Sequence, residues 1–298
     1  MLKINTLKLE EKFITTNSIK LHTVCAGPES GIPVVLLHGF PETWRCWIHQ
    51  IPALAAAGFR VIVPDQRGYN LSDKPKGIKN YRVDELVNDI VGLIDALEYE
   101  KVNLVGHDWG AVVAWMLAYE HPERLHRLGI LNVPHPLVMR RFLLRDLDQI
   151  RRSWYIFFFQ LPGLPEMGMR AQDWRGGVRA LRGSGLIHTF SNEDIQKYKE
   201  SWSQPGAMTS MINWYRALRY QLNLPREMRI RVPTLMMWGI KDFALTHRMA
   251  RPSMDHVEQG NLIFFPYATH WVQRDAAEEV NHYLMDFLLD KGSKQARY

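Results

Sequence analysis

The stretch Val102-Asn103-Leu104-Val105-Gly106-His107-Asp108-Trp109-Gly110-Ala111-Val112-Val113 decides how this chain folds. Its opening, Val102–Val105, is a short, mostly apolar run of the kind found in a strand buried on both faces. Its end opens a pattern of apolar residues, Ala111–Tyr119, with the spacing of a helix. Between them stands Gly-x-Asp-x-Gly. Strand, Gly-x-nucleophile-x-Gly and helix is the pattern of a nucleophile elbow, in which small neighbours permit a sharp turn that exposes the middle side chain. A lone Asp before a helix is more often its N-cap. The two flanking glycines, together with an acid and a histidine further along the chain, favour Asp108 as a nucleophile instead.

Working outward, apolar runs bounded by turn residues recur at Pro33–Leu37, Val61–Pro64, Leu128–Leu131, Thr234–Trp238 and Leu262–Phe265. Helical patterns alternate with them at Trp47–Ala57, Val83–Leu97 and Glu278–Leu289. This alternation predicts a doubly wound α/β domain with a mostly parallel sheet. Two strand-like stretches, Lys12–Thr16 and Ile19–Val24, open the chain around a turn at Asn17.

The alternation stops near Pro136 and resumes near Val232. The residues between read as helices, Val138–Phe159, Ile195–Trp202 and Ala207–Leu222, parted by Gly/Pro clusters. Ser191 and Asp194 form a capping-box pattern before the second of these. The expected organisation is therefore a core of residues 1–136 and 228–298, with an all-helical lid, 137–227, inserted between two of its strands.

The length of 298 residues suits one large domain or two ordinary ones, and 46% hydrophobic with 23% charged residues excludes a disordered or fibrous chain. Two cysteines exclude a disulfide framework. No run approaches the roughly 20 apolar residues of a membrane span, and the N-terminus lacks a secretory pattern. A soluble, cytoplasmic protein is expected. The net charge of +6 lies wholly between Leu137 and Glu227, which hold 14 Lys/Arg against 8 Asp/Glu. A basic, aromatic segment could bind nucleic acid or an anionic membrane surface. With no nucleic-acid module in the sequence, a solvated basic face over an apolar lining is the preferred reading. A homo-oligomer could use this face as its interface.

In open α/β sheets, ligands bind beyond the carboxyl ends of the strands. Asp242 follows Thr234–Trp238, and His270 follows Leu262–Phe265. With 12 histidines in the chain, His270 alone is weak evidence. A carboxylate, then an acid, then a histidine, each after its own strand, is the triad order of the α/β-hydrolases. The alternative acid position, after Leu128–Leu131, carries the uncharged Asn132. His38-Gly39-Phe40-Pro41 follows Pro33–Leu37, where this fold supplies one backbone N–H of an oxyanion hole. The residue after the nucleophile supplies the second. The amides of Phe40 and Trp109 take those places, with His38 and Pro41 in the same loop. No phosphate-binding, dinucleotide or zinc motif is present, so neither cofactor nor metal is expected.

The chain resembles the α/β-hydrolase-fold epoxide hydrolases in motif and order. These motifs are His38-Gly39-Phe40-Pro41-Glu42, Asp65-Gln66-Arg67-Gly68-Tyr69, Gly106-His107-Asp108-Trp109-Gly110, Asn132-Val133-Pro134-His135-Pro136, Lys241-Asp242-Phe243 and His270-Trp271. The match runs from about residue 12 to the end. Asn70 stands where the family often has glycine, and Asp65 and Arg67 read as a turn-stabilising pair. The resemblance implies opening of a small apolar epoxide by Asp108 through an ester, then hydrolysis of that ester by water to a vicinal diol. It also implies two lid tyrosines on the epoxide oxygen, at positions matched by Tyr155 and Tyr215. By its own periodicity Tyr215 is an interior residue, sharing a stripe with Met208, Met211, Ile212 and Leu218. A haloalkane dehalogenase is the nearest rival, but Phe40 stands where its halide-binding Asn would sit. A fluoroacetate dehalogenase needs arginines shortly after the nucleophile, where this chain has Gly110, Ala111, Val112 and Val113. A non-catalytic hydrolase-fold receptor is the third reading.

Overall fold

The computed structural model describes residues 7–220 and 224–290. A hairpin of β1 (Glu10–Thr16) and β2 (Ile19–Ala26) opens the fold, turning at Asn17 and Ser18, both at positive φ. Then β3 (Ile32–Leu37), α1 (Gln50–Ala56), β4 (Phe59–Pro64), α2 (Val83–Ala96), β5 (Val102–His107), α3 (Trp109–Glu120) and β6 (Leu125–Leu131) alternate. Helices alone follow: α4 (Pro136–Arg145), α5 (Leu147–Arg152), α6 (Trp154–Phe158), α7 (Leu164–Arg182), α8 (Asn192–Trp202) and α9 (Ala207–Ala217). The alternation resumes with β7 (Thr234–Gly239), α10 (Ala250–Met254), β8 (Gly260–Phe265), α11 (Val272–Asp275) and α12 (Ala277–Leu288).

The eight strands form one sheet in the order β1-β2-β4-β3-β5-β6-β7-β8. Pairings β1/β2 and β2/β4 are antiparallel and the rest are parallel. Strands β4, β5 and β7 are buried at every position, as unbroken apolar runs require when both faces are covered. On one face, Trp47, Ile51 and Leu54 pack with Val280 and Leu284 of α12. On the other, Leu86 and Ile90 of α2 and Leu117 of α3 join Trp202, Met211 and Trp214 of the helical segment. That segment thus shares a core with the sheet. Chain order reverses between β3 and β5, and register brings Leu37 opposite Gly106 and His107 opposite Leu131. The loops after β3, β5, β6, β7 and β8 therefore leave the sheet at one end. This is the switch-point crevice of an open α/β sheet.

Three helices depart from their expected bounds. The helix expected over Val138–Phe159 is three short ones, because Asp146 is extended (φ −109°, ψ 107°) and caps the Gln149 amide, and Ser153 leaves the helical region. The Ala207–Leu222 helix is α-helical only to Ala217, with a tight turn through Tyr220, and its last two positions lie outside the described residues. The Trp47–Ala57 helix divides into a single turn at Trp44–Trp47 and α1. Helix α7 was not anticipated. Its glycines and an internal break, where Gln172, Asp173 and Trp174 take positive φ, erase the helical periodicity. The Ser191–Asp194 capping box is present.

Candidate active site

At the β5–α3 turn, Asp108 sits at φ 50°, ψ −125°, outside the regions open to most side chains. The turn is this tight because its neighbours lack a Cβ. One placed on Gly106 would lie 2.4 Å from the Gly110 carbonyl oxygen, and one on Gly110 would lie 2.3 Å from that of Leu37. One on Gly39 would lie 2.3 Å from the Asp108 side chain itself. Although Asp108 precedes α3, its carboxylate does not cap the helix. Oδ1 accepts a hydrogen bond from the Phe40 amide at 2.7 Å, and Oδ2 lies 3.4 Å from Nε2 of His270.

The other ring nitrogen of His270, Nδ1, is 2.7 Å from Oδ2 of Asp242. Asp242 is fixed in turn, its Oδ1 accepting from the amides of Ala244 (2.8 Å) and Leu245 (2.9 Å). Asn132 donates to the Asp242 oxygen that faces the histidine, at 2.8 Å, and accepts from the Gly239 amide. The sequence reading had set Asn132 aside for lacking charge. In the structure it orients the acid from the neighbouring strand end, in a left-handed conformation (φ 56°) that Asn tolerates.

Burial alone would push the His270 imidazole down, but the Asp242 and Asp108 carboxylates outweigh it and raise its pKa to about 10. The same pairing holds Asp108 below the ordinary carboxylate range despite its burial. Behind them, burial and the adjacent His270 charge drop His107 to about 3, so it is a neutral ring. Its Nε2 donates to the His270 carbonyl (2.8 Å) and its Nδ1 accepts from Gln273 (3.2 Å).

Tyr155 of α6 and Tyr215 of α9 meet edge to face, ring centres 5.9 Å apart. Tyr215 also packs against Trp109 at 5.1 Å and Phe40 at 5.3 Å, which sets it beside the Asp108 turn. Burial, followed by the Asp108 carboxylate, raises both phenols above the ordinary tyrosine value, so each is a neutral O–H donor at any ordinary pH. His38 and Pro41 hold the loop. The His38 Nε2 accepts from the Gln66 amide at 3.0 Å and its ring packs on Tyr69, while the Pro41 carbonyl accepts from Trp202 at 2.6 Å. The Phe40–Pro41 peptide bond is cis.

Asp65 and Arg67 do not pair with each other as expected. Asp65 binds His22 (2.7 Å) and the Asn70 side chain (2.7 Å), whereas Arg67 grips Asp89 through two nitrogens at 2.7 and 2.6 Å. Asn70 adopts positive φ, filling the role of the family's glycine. A second buried cluster went unread in the sequence. Glu42, fully buried in the loop after β3, accepts from Arg274 (3.1 Å) and from the Tyr198 hydroxyl (2.7 Å), and Arg274 also donates to that hydroxyl (2.6 Å). It links the loop after β3, helix α11 just after His270 and helix α8. No local pattern could have revealed contacts between residues so far apart in sequence.

Comparison with known proteins places this arrangement in a family. Residues 32–277 match the family model described as the alpha/beta hydrolase fold. The chain is 46% identical over 277 residues to the AB hydrolase superfamily protein YfhM of Bacillus subtilis (strain 168), covering 93% of this chain and 97% of that protein. It is 36% identical over 284 residues to Epoxide hydrolase 1 of Caenorhabditis elegans, covering 94% of this chain and 70% of the other. A crystal structure of Bacillus megaterium epoxide hydrolase in complex with an inhibitor superposes with a TM-score of 0.85 at 31% identity, covering 93% of this chain and all of that one. The fold is thus that of an α/β-hydrolase. Within that class, the chain belongs to the epoxide hydrolase family.

Two outcomes follow from the electrostatics. Replacing Asp108→Asn removes one of the two carboxylates facing His270, so the imidazole should titrate at lower pH than in the parent, as read by NMR of labelled histidine. An unchanged titration would mean that the Asp108 charge does not reach the ring. Glu42→Gln strips Arg274 of its principal buried counter-charge and should lower unfolding stability by about 3 kcal/mol in denaturant titrations. A loss below about 1 kcal/mol would show the pair to be well solvated.

Proposed function

We propose that the chain hydrolyses epoxides to vicinal diols through an alkyl-enzyme ester on Asp108. One observation carries the proposal: a part-buried carboxylate lies between an amide donor and a histidine–aspartate pair, with two neutral phenols beside it. Oδ1, held by the Phe40 amide, is the oxygen that becomes the ester carbonyl. Oδ2 is then the nucleophile, and it attacks an epoxide carbon as the carbon–oxygen bond opens. An alkoxide is a poor leaving group, so Tyr155 and Tyr215 bind the oxygen and one transfers its proton.

Alkylation also switches the base. Once Asp108 is an ester its charge is gone, and His270 keeps only Asp242 as a counter-ion. Its pKa falls and its proton passes, directly or through water, to the tyrosinate left by ring opening, which restores the phenol. The neutral Nε2 can now take a proton from water as that water attacks the ester carbon. The amides of Phe40 and Trp109 stabilise the resulting oxyanion. Collapse of the intermediate frees the diol and restores the carboxylate.

In this reading residues 137–227 act as a lid whose helices bring both phenols to the site, and the substrate is a small apolar epoxide. A cytoplasmic location belongs to the same proposal, and it is supported by two buried free thiols, Cys25 and Cys46. The dehalogenase alternative is disfavoured by the phenyl ring of Phe40, which packs against Tyr215 where a polar halide ligand would be needed. Incubation with styrene oxide and with a bromoalkane distinguishes them. Diol without bromide is expected, bromide release would reverse the assignment, and turnover of neither would favour a receptor.

In heavy-oxygen water, the first single-turnover diol should carry the unlabelled oxygen of Asp108, with label appearing in the carboxylate instead. Full labelling of that first diol would rule out the ester. Tyr155→Phe and Tyr215→Phe should each slow ring opening, and the double change should cost about 10²–10⁴-fold. Hydrolysis of preformed ester should change far less. A double variant opening epoxides near the parent rate would remove the phenols from the mechanism.

A further inference from the structure

Helices α4 to α7 and their connections expose large apolar side chains that the proposed chemistry does not use. Leu144, Leu147, Trp154, Phe157, Leu161, Leu164 and Met167 recur every three or four residues, apart from one place occupied by Arg151. All are exposed, from 43% at Leu161 to 82% at Leu147, with Trp154 and Phe157 both at 64%. Single exposed apolar residues need no explanation, but seven within residues 144–167 do. The inner side of the same segment carries Tyr155 and Phe159.

The charge of this segment is one-sided. From Leu137 to Arg182 the chain has nine arginines and four acids. Every one of the acids is already engaged: Asp146 by Arg248, Asp148 by Arg152, Glu166 by Arg216 and Asp173 by Lys199. Arg140, Arg145, Arg151 and Arg179 are exposed and form no ion pair among the described residues. A second copy of this surface would bring like charges together. Nucleic acid would match the charge but gives Leu and Met side chains no apolar phase to enter. An anionic bilayer supplies both, with headgroups for the arginines and an acyl boundary for the aromatic and aliphatic side chains.

We propose that the outer face of α4–α7 docks the protein peripherally on an anionic lipid surface, with Trp154 and Phe157 as apolar anchors and the unpaired arginines as headgroup contacts. Among the described residues no helix is long and apolar enough to cross a membrane, so the contact is interfacial. Apolar epoxides concentrate in such a phase, and docking would set the helices carrying Tyr155 against it. The surface argument is independent of the catalytic assignment, because vesicle binding can be read without turnover.

The test is co-sedimentation of the full chain with vesicles of phosphatidylcholine alone and of phosphatidylcholine mixed with phosphatidylglycerol, at low and high salt. Binding should be several-fold stronger to the anionic vesicles and should weaken with salt. A Trp154→Ser/Phe157→Ser variant should lose about tenfold or more of that affinity. Should that variant lose its circular dichroism, Arg145→Gln/Arg151→Gln at exposed, unpaired positions carries the test. This second variant should bind vesicles several-fold less while hydrolysing a water-soluble epoxide at the parent rate. No binding to anionic vesicles, equal binding to neutral ones, or binding unaffected by these changes would overturn the proposal. So would a dimer in sedimentation equilibrium that Trp154→Ser/Phe157→Ser dissolves, or preferential retention of a single-stranded oligonucleotide.

Discussion

A steric constraint underlies the rest: three glycines from two loops leave room for one strained aspartate. Positions like that of Asp108 cost on the order of 1–3 kcal/mol and persist only where surrounding structure fixes them. Here the sheet does so. The parallel register of β3 against β5 brings the Leu37 carbonyl to Gly110 and Gly39 to the Asp108 side chain, leaving no space for even a methyl group. The strain turns the two carboxylate oxygens to different partners, one to an amide and one to an imidazole. A relaxed helix N-cap would turn the carboxylate back toward its own helix.

Charge around that carboxylate is arranged in layers. Asp108 and Asp242 stand on opposite nitrogens of His270, and among the described residues neither has a buried arginine or lysine as its counter-ion. The imidazolium is thus the positive charge that both share. His107, although adjacent, is held neutral and contributes only a directed N–H and a lone pair. The formal charge of the inner site is therefore small, and neutralising one carboxylate would shift its balance by a whole unit. A site containing an additional fixed cation would respond to that change much less.

How far these features could be read from the sequence depends on the range of the interaction behind them. The strands and the elbow are local: apolar runs between turns, and glycines two residues either side of Asp108. Asp242 and His270 were also legible, since each directly follows a strand whose direction the parallel sheet dictates. The single helix expected over Val138–Phe159 failed because apolar spacing continues unchanged across Asp146 and Ser153. Helix α7 was hidden for the opposite reason, with Gly168, Gly176 and Gly177 diluting the pattern that tertiary packing against Trp202 restores. Glu42 and Arg274 lie 232 residues apart, and no periodicity records such a pair. Asn132 shows how a correct observation, the absence of charge, can conceal a role in holding the charge of another residue.

The Glu42–Arg274–Tyr198 cluster bears on how proteins of this architecture can recombine. Its carboxylate comes from the loop after β3, its guanidinium from α11 just after His270 and its phenol from α8, with Trp202 of the same helix tied to the Pro41 carbonyl. A chimera that took its helical segment from a relative would import a foreign α8 into a buried charge network completed by two other parts of the chain. Unless the donor supplied a matching phenol and indole, the graft would leave Glu42 with one donor fewer and loosen the loop that carries Phe40. Functional exchange of this segment is therefore limited to parents that share the three-part junction, whatever their similarity along the helices themselves.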